Sequence, residues 1–424
     1  MSEKNKKPEI RFKGFTDDWE EKKYSETFKK IPNNTLSRDE LNYSAGLSKN
    51  VHYGDVLIKF GELLDVEKNE IPYITNDILA NKFKPSKLQS GDVIIADAAE
   101  DETVGKCTEL VNVGEEIIFS GLHTIPSRPT ISFASGYLGY FMNSPAYHTQ
   151  LLRLMQGTKV LSISKTVLQD TDINYPIDNP EQSKIGTYFK NLDHLITLHQ
   201  RKYDKLVTIK KAMLEKMFPK NGLDVPEIRF KGFTEAWEEK ELGEMATIKT
   251  GFPIDSNKFN DNGEYLVITN GNIQNDSHTV DNSNGNRIDI ENNASLSEYV
   301  LNPNDILVTM DGTVGRTAKV VEQKQILAQR VGRLTAKLET EFLYQFLNTG
   351  KFFKEMSLIS HGGTIKHISL SEISIFISYM PSYREEQKKI GTFFKHLDTL
   401  ITLQKRELVK LKNIKKACLE KMFV

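Results

Sequence analysis

Two short loops carry the side chains best suited to selective chemistry. One reads TVGK over 103–106 and the other TVGR over 313–316. Each follows a buried-looking apolar run, in GDVIIADAAEDETVGK (91–106) and NDILVTMDGTVGR (304–316). A hydroxyl, a glycine and a basic side chain supply hydrogen-bond donors, acceptors and a positive charge. Two turns, QGTKVLSIS (156–164) and HGGTIKHIS (361–369), offer the same residue types. The chemistry open to such loops is recognition of a polar partner by hydrogen bonding. A structural reading stands beside it, in which the loop glycines serve positive φ angles and the polar residues cap turns. His123 alone reads as a turn or core residue and not as a catalytic base. Cys107 and Cys418 cannot by themselves build a zinc site or a disulfide framework.

The elements that position these loops come in duplicate. PEIRFKGFTDDWEEK at 8–22 returns as PEIRFKGFTEAWEEK at 226–240, with 13 of 15 positions identical and one of the two tryptophans in each copy. The 38-residue segments 181–218 and 386–423 share 26 positions. Self-similarity of this kind marks a duplicated structural unit. Both long segments place apolar residues at alternating steps of four and three, the seam of a coiled coil. The first seam runs Ile185, Phe189, Leu192, Ile196, His199, Tyr203, Leu206, Lys210, Met213, Met217. The second runs Ile390, Phe394, Leu397, Ile401, Gln404, Leu408, Leu411, Lys415, Cys418, Met422, with polar interruptions at matching points. Each helix would be about 55 Å long at 1.5 Å per residue. Two such seams in one chain pack most simply against each other, antiparallel, related by a pseudo-twofold axis.

Between the copied segments, IPYITNDI (71–78) pairs with LVITNGNI (266–273), and the short apolar helices YLGYFMNS (137–144) and FLYQFLNT (342–349) match in order. Ser144 and Pro145 read as the start of a further helix ended by Gly157. The fold class is therefore α+β: two domains of one scaffold joined by two long antiparallel helices. The expected boundaries are 1–180, 181–218 for the first helix, 219–225 for a linker, 226–385, and 386–424 for the second helix.

Composition narrows the setting. No apolar run approaches the ~20 residues that span a membrane, and MSEKNKKPEI lacks the apolar core of a signal peptide. A reducing cytoplasm is the natural location. The net charge of -1 conceals nine Lys/Arg against four Asp/Glu over 181–220, and eleven against five over 384–424. The remainder sums to -12. A polyanion would have to be met by local basic patches and not by bulk charge.

The doubled order of the DVIIAD…TVGK and DILVTMDGTVGR loops, the GT turns, the EQ.KIG..F..LD.LITL helix starts and the PEIRFKGFT..WE segment resembles the specificity subunit of type I restriction-modification systems. The resemblance covers nearly the whole chain, twice. It implies two target recognition domains, each reading one half of a bipartite double-stranded DNA site. It implies paired helices as a ruler, with two methyltransferase subunits as partners, joined by two restriction or motor subunits where the system also cleaves. It implies no catalysis and no cofactor in this chain. S-adenosylmethionine would sit on the methyltransferase subunit, which methylates adenine at N6, and ATP and Mg on the restriction subunit.

Base edges are read by Arg or Lys on guanine, Asn or Gln on adenine, and hydroxyls on either. The candidates in the first domain are Thr75, Asn76, Thr103, Lys106, His123, Arg128, Thr158 and Lys159. Those in the second are Thr269, Asn270, Asn272, Thr313, Arg316, Gln329, Arg330, Arg333, Thr364 and Lys366. Some would touch phosphate, which carries no sequence information. The competing readings are a coiled-coil scaffold with two ligand-binding domains and a fused DNA methyltransferase. The second lacks a glycine-rich cofactor loop. NSPAY (143–147) departs from the Asn-Pro-Pro-Tyr motif at two positions and reads as a helix start.

Overall fold

The structure, a computed structural model, describes residues 7–220, 222–274, 277–290 and 294–424. The first six residues and Asn221 of the expected linker lie outside the described residues. The chain divides into two compact units, Met1–His199 with Glu407–Val424, and Gln200–Arg406. The division passes through both long helices, so each unit holds the start of one and the end of the other. Among the described residues no helix is long and apolar enough to cross a membrane.

The long helices run over Asn179–Lys216 and Arg384–Lys421. Acidic residues occupy each first turn and a lysine each last turn, which suits the helix dipole. Every seam position read from the sequence is buried or half-buried. In the first unit Phe423, just past the second helix, stacks on Phe189 near the start of the first, with ring centroids 5.7 Å apart. In the second unit Phe218 lies 5.9 Å from Phe394 in the same way. Within each unit the start of one helix thus meets the end of the other, the antiparallel arrangement.

The polar seam lysines cross to the opposite helix. Lys210 Nζ lies 2.6 Å from Asp398 Oδ1, and Lys415 Nζ lies 2.6 Å from Asp193 Oδ1. The second oxygen of each aspartate accepts from a short helix of its own unit, Gln345 Nε2 at 2.7 Å on Asp398 and Tyr140 Oη at 2.8 Å on Asp193. The surroundings differ. Lys415 has a second carboxylate, Glu62 at 2.7 Å. Burial opposes its charge, but Glu62 and Asp193 together hold it above the ordinary lysine value. Lys210 shares Asp398 with His278, and burial draws its pKa down.

The copied segment at 8–22 closes the first unit against the end of the second helix. Ile10 N–H donates to Lys421 O at 2.9 Å, and Ile228 N–H donates to Lys216 O at 2.9 Å in the second unit. Arg11 forks onto Glu181 at 2.7 and 2.8 Å; Arg229 does so onto Glu386 at 2.6 and 2.8 Å. Both glutamates are at most 1% exposed, so the forked arginine compensates a charge that burial would otherwise penalise. Trp19 packs edge-on against Tyr137 and Phe423, and Trp237 against Phe218 and Phe342. The strand Glu20–Lys23 then pairs antiparallel with Asp172–Tyr175, and Glu238–Glu241 with Ile377–Met380.

The central sheet of the first unit is ordered Phe28–Lys30, Thr124–Pro129, Val93–Ala96, Cys107–Val111, Leu63–Asp65. That of the second is ordered Ala246–Thr250, Val331–Ala336, Ile306–Thr309, Thr317–Lys319. Four strands recur in the same order. The strands Val93–Ala96 and Ile306–Thr309 are buried at every position, in keeping with their apolar runs VIIA and ILV. Two sequence expectations change. The helix begun by Pro145 ends at Leu152, five residues before Gly157, because Gln156 pairs instead with Ser162 across a turn. The strand Tyr73–Ile74 is not the counterpart of Tyr265–Ile268. Tyr265–Ile268 pairs parallel with Gln325–Leu327, and in the first unit the strand parallel to the corresponding Ile118–Ser120 is Lys49–Val51.

One buried carboxylate starts the helix Tyr137–Asn143. Glu109 accepts the N–H groups of Gly136 at 2.7 Å and Gly139 at 2.9 Å. Burial outweighs these bonds and pushes its pKa up to about 7.

Two outcomes are expected. Lys415→Met leaves Glu62 and Asp193 facing each other without their cation and should cost about 3–5 kcal/mol in a urea melt of the full chain. Lys210→Met strands one carboxylate and should cost less. Glu109 has a folded pKa above its unfolded value, so its contribution is fully present below about pH 4.5 and is lost as pH rises through about 7. The wild type should lose about 1 kcal/mol between pH 6 and pH 8 that Glu109→Gln does not lose.

Candidate nucleic-acid interface

Three segments meet the end of the central strand in each unit through matching backbone bonds. In the first unit Gly105 N–H donates to Ala96 O at 2.9 Å, Ile163 N–H to Asp97 O at 2.9 Å, and Asp97 N–H to His123 O at 3.1 Å. In the second the bonds are Gly315 to Thr309 at 2.9 Å, Ile368 to Met310 at 3.0 Å, and Met310 to Arg330 at 3.3 Å. The TVGK and TVGR loops, the GT turns and the start of the neighbouring strand are therefore gathered at one strand end. Both loop glycines need their residue type. Gly105 has φ +86° and Gly315 +80°, and an added Cβ would stand 2.6 Å from Leu151 Cδ1 or 2.9 Å from Met356 Cβ. The turns are seven residues long, closed by paired bonds between Gln156 and Ser162 and between His361 and His367.

A fourth segment joins them. Gly121 N–H donates to Val51 O, and Ala328 N–H to Ile268 O. That register makes His52–Tyr53 the counterpart of Thr269–Asn270. The Tyr53 ring stands edge-on to His123 at 5.3 Å, and Asn270 Oδ1 accepts from Met310 N at 3.3 Å. Thr75 and Asn76 are elsewhere. Thr75 accepts from Asn42, and Asn76 caps the short helix Asp77–Ala80. The sequence missed Tyr53 because the ITN of the second copy recurs in the first at 74–76, away from His52–Tyr53.

The remaining candidates fall into two groups. Thr103, His123, Thr158 and Lys159 are exposed in the first unit, as are Thr269, Thr313, Gln329, Arg330, Thr364 and Lys366 in the second. The others are committed to the fold. Lys106 donates to Leu57 O at 2.8 Å, and burial lowers its pKa. Arg128 forks onto the fully buried Asp92 at 2.8 and 2.7 Å. Arg333 makes the corresponding contact with Asp305 at 2.8 Å. Asn272 accepts from Thr269 and donates to two backbone carbonyls. Arg316 is half-buried behind its glycine. Arg128, Arg333 and Lys106 look basic in sequence, but their charge is spent inside.

Acidic groups at the same strand end orient the exposed ones. His123 Nδ1 lies 3.1 Å from Asp97 Oδ1. Arg330 Nη1 donates to Asp311 Oδ2 at 3.0 Å, and Asp311 also holds His367. The loop residues Glu100, Asp101 and Glu102 are exposed beside the first site. Among the described residues no group of three or more His, Cys, Asp or Glu is placed to hold a metal ion. What the arrangement offers is a set of oriented donors and acceptors on two equivalent surfaces.

The family model described as the type I restriction modification DNA specificity domain matches residues 50–208 and again 234–413. A type I restriction enzyme MjaVIII specificity subunit of Methanocaldococcus jannaschii is 25% identical over 281 residues, 62% of this chain and 63% of that relative. A putative type I restriction enzyme MjaX specificity subunit of the same organism is 22% identical over 414 residues, covering 94% of this chain and 91% of the relative. The crystal structure of a type I restriction-modification S subunit from M. genitalium shares the fold, with TM-score 0.65 and 13% identity over 99% of each chain. The chain belongs to the type I restriction-modification DNA specificity family and carries that family's domain twice.

Proposed function

We propose that this chain is the non-catalytic DNA-reading subunit of a type I restriction-modification complex. Each unit reads one half of a bipartite duplex site. The paired helices set the distance between the halves and dock two methyltransferase subunits for N6-adenine methylation, with restriction subunits as further partners. One observation carries the reading. Equivalent backbone positions at the central strand end bear different hydrogen-bonding side chains in the two units, while the helices and the segments that close on them are nearly copies. Two like partners on one reader need like docking surfaces, whereas two unlike half-sites need unlike readers. The chain itself binds no cofactor; S-adenosylmethionine belongs to the methyltransferase subunit, and ATP and Mg to the restriction subunit. The setting is the cytoplasm. The acidic balance of the reading units leaves much of the phosphate contact to the partner subunits.

A genome-wide map of N6-methyladenine with and without the gene tests this. One two-part motif should vanish when the gene is removed; a map that does not change contradicts the reading. The purified chain alone, given labelled S-adenosylmethionine and DNA, should transfer no methyl group.

A further inference from the structure

Two large side chains stand on left-handed backbone at the same place in both units. His123 has φ 52° and Arg330 φ 69°. Strand pairing fixes the equivalence, because Thr124 faces Ala96 and Val331 faces Thr309 one residue later. A glycine would adopt this conformation freely, and arginine rarely does. Keeping a long polar side chain there twice points to work done by the side chain.

Each side chain is steadied and not consumed. Asp97 holds one ring nitrogen of His123, and Asp311, itself braced by His367, holds Nη1 of Arg330. Both side chains remain more than half exposed, at 52% and 58%. The ring Nε2 of His123 and the Nε–Nη2 edge of Arg330 make no hydrogen bond to another described residue. That guanidinium edge carries two parallel donors, the pattern that meets N7 and O6 of guanine in the major groove. Pinning the opposite nitrogen to Asp311 reduces the rotamer freedom lost on binding. With Nδ1 turned to Asp97, Nε2 of His123 is left to meet a base edge in the groove.

We propose that Arg330 and His123 are the specificity-determining residues of their units, with Arg330 reading a guanine and Asp311 positioning it. The inference rests on the DNA-reading function proposed above and adds which side chain reads and which base it meets.

The test is competition binding of the full chain, assembled with its methyltransferase subunits, to duplexes carrying every single-base change across both half-sites. The wild type should require guanine at one position in the half-site read by the second unit. Arg330→Lys keeps the charge but loses the fork. It should retain the salt dependence of binding to random DNA while losing roughly 10- to 100-fold discrimination at that position alone. Arg330→Gly should lose the same discrimination without a fall in melting temperature, since glycine accepts the backbone angle. His123→Gly should relax one position in the other half-site only. If both Arg330 variants discriminate like the wild type at every position, the proposal is overturned and DNA reading stands. If the wild-type complex binds no two-part duplex better than random DNA, the functional reading fails and this proposal fails with it.

Discussion

A lysine buried in an apolar helix seam must find a carboxylate, and here it finds one on the opposite helix. That requirement sets the register of the two long helices. Asp193 to Lys210 and Asp398 to Lys415 span the same 17 residues, so both crossings satisfy one alignment of the rods. A slip by one heptad would carry each lysine away from its aspartate, with the desolvation of its charge uncompensated. Leucine pairs alone would tolerate such a slip far better. Each aspartate also takes a hydrogen bond from Tyr140 or Gln345, which ties the register of the seam to the scaffold that carries the candidate loops.

The same logic of paired copies governs how each unit closes. The segment at 8–22 docks on the end of the second helix and forks through Arg11 onto Glu181 at the start of the first, and its internal copy docks on the end of the first helix and forks through Arg229 onto Glu386 at the start of the second. Beyond these anchors both units repeat two backbone features: the glycine that lets the loop pass a neighbouring side chain, and the seven-residue turn laid on the strand end. Side chains at these places are free to differ. Asp97 with His123 in one unit and Asp311 with Arg330 in the other are different solutions on one backbone.

Much of this was legible in the residues. The helices showed because a 3.5-residue period over five heptads has few other uses, and their observed bounds lie within a few residues of those expected. The antiparallel pairing followed from the order of the copies. The polar partners of the seam did not. Asp193 and Asp398 lie off the apolar stripe, and nothing local distinguishes them from solvated residues. The exposure of the candidate residues was half legible. Loop glycines marked where backbone turns sharply, so Thr103, Thr313, Thr364 and Lys366 emerged exposed. Arg128 and Arg333 did not, because whether a strand arginine faces solvent or a buried aspartate across the sheet depends on pairing that the sequence does not spell out. The match of Thr75–Asn76 to Thr269–Asn270 rested on a shared three-letter word, and strand topology assigned that place to His52–Tyr53.

The central claim is that helix length, locked by the two lysine crossings, sets the spacing between half-sites. Deleting seven residues from each helix between its aspartate and its lysine keeps the seam period and both crossings, and shortens the rods by about 10 Å. Methylation motifs mapped for that chain with its partner subunits should keep both half-sites and shorten the gap between them by roughly three base pairs at 3.4 Å per step. An unchanged gap in an active complex would contradict the account.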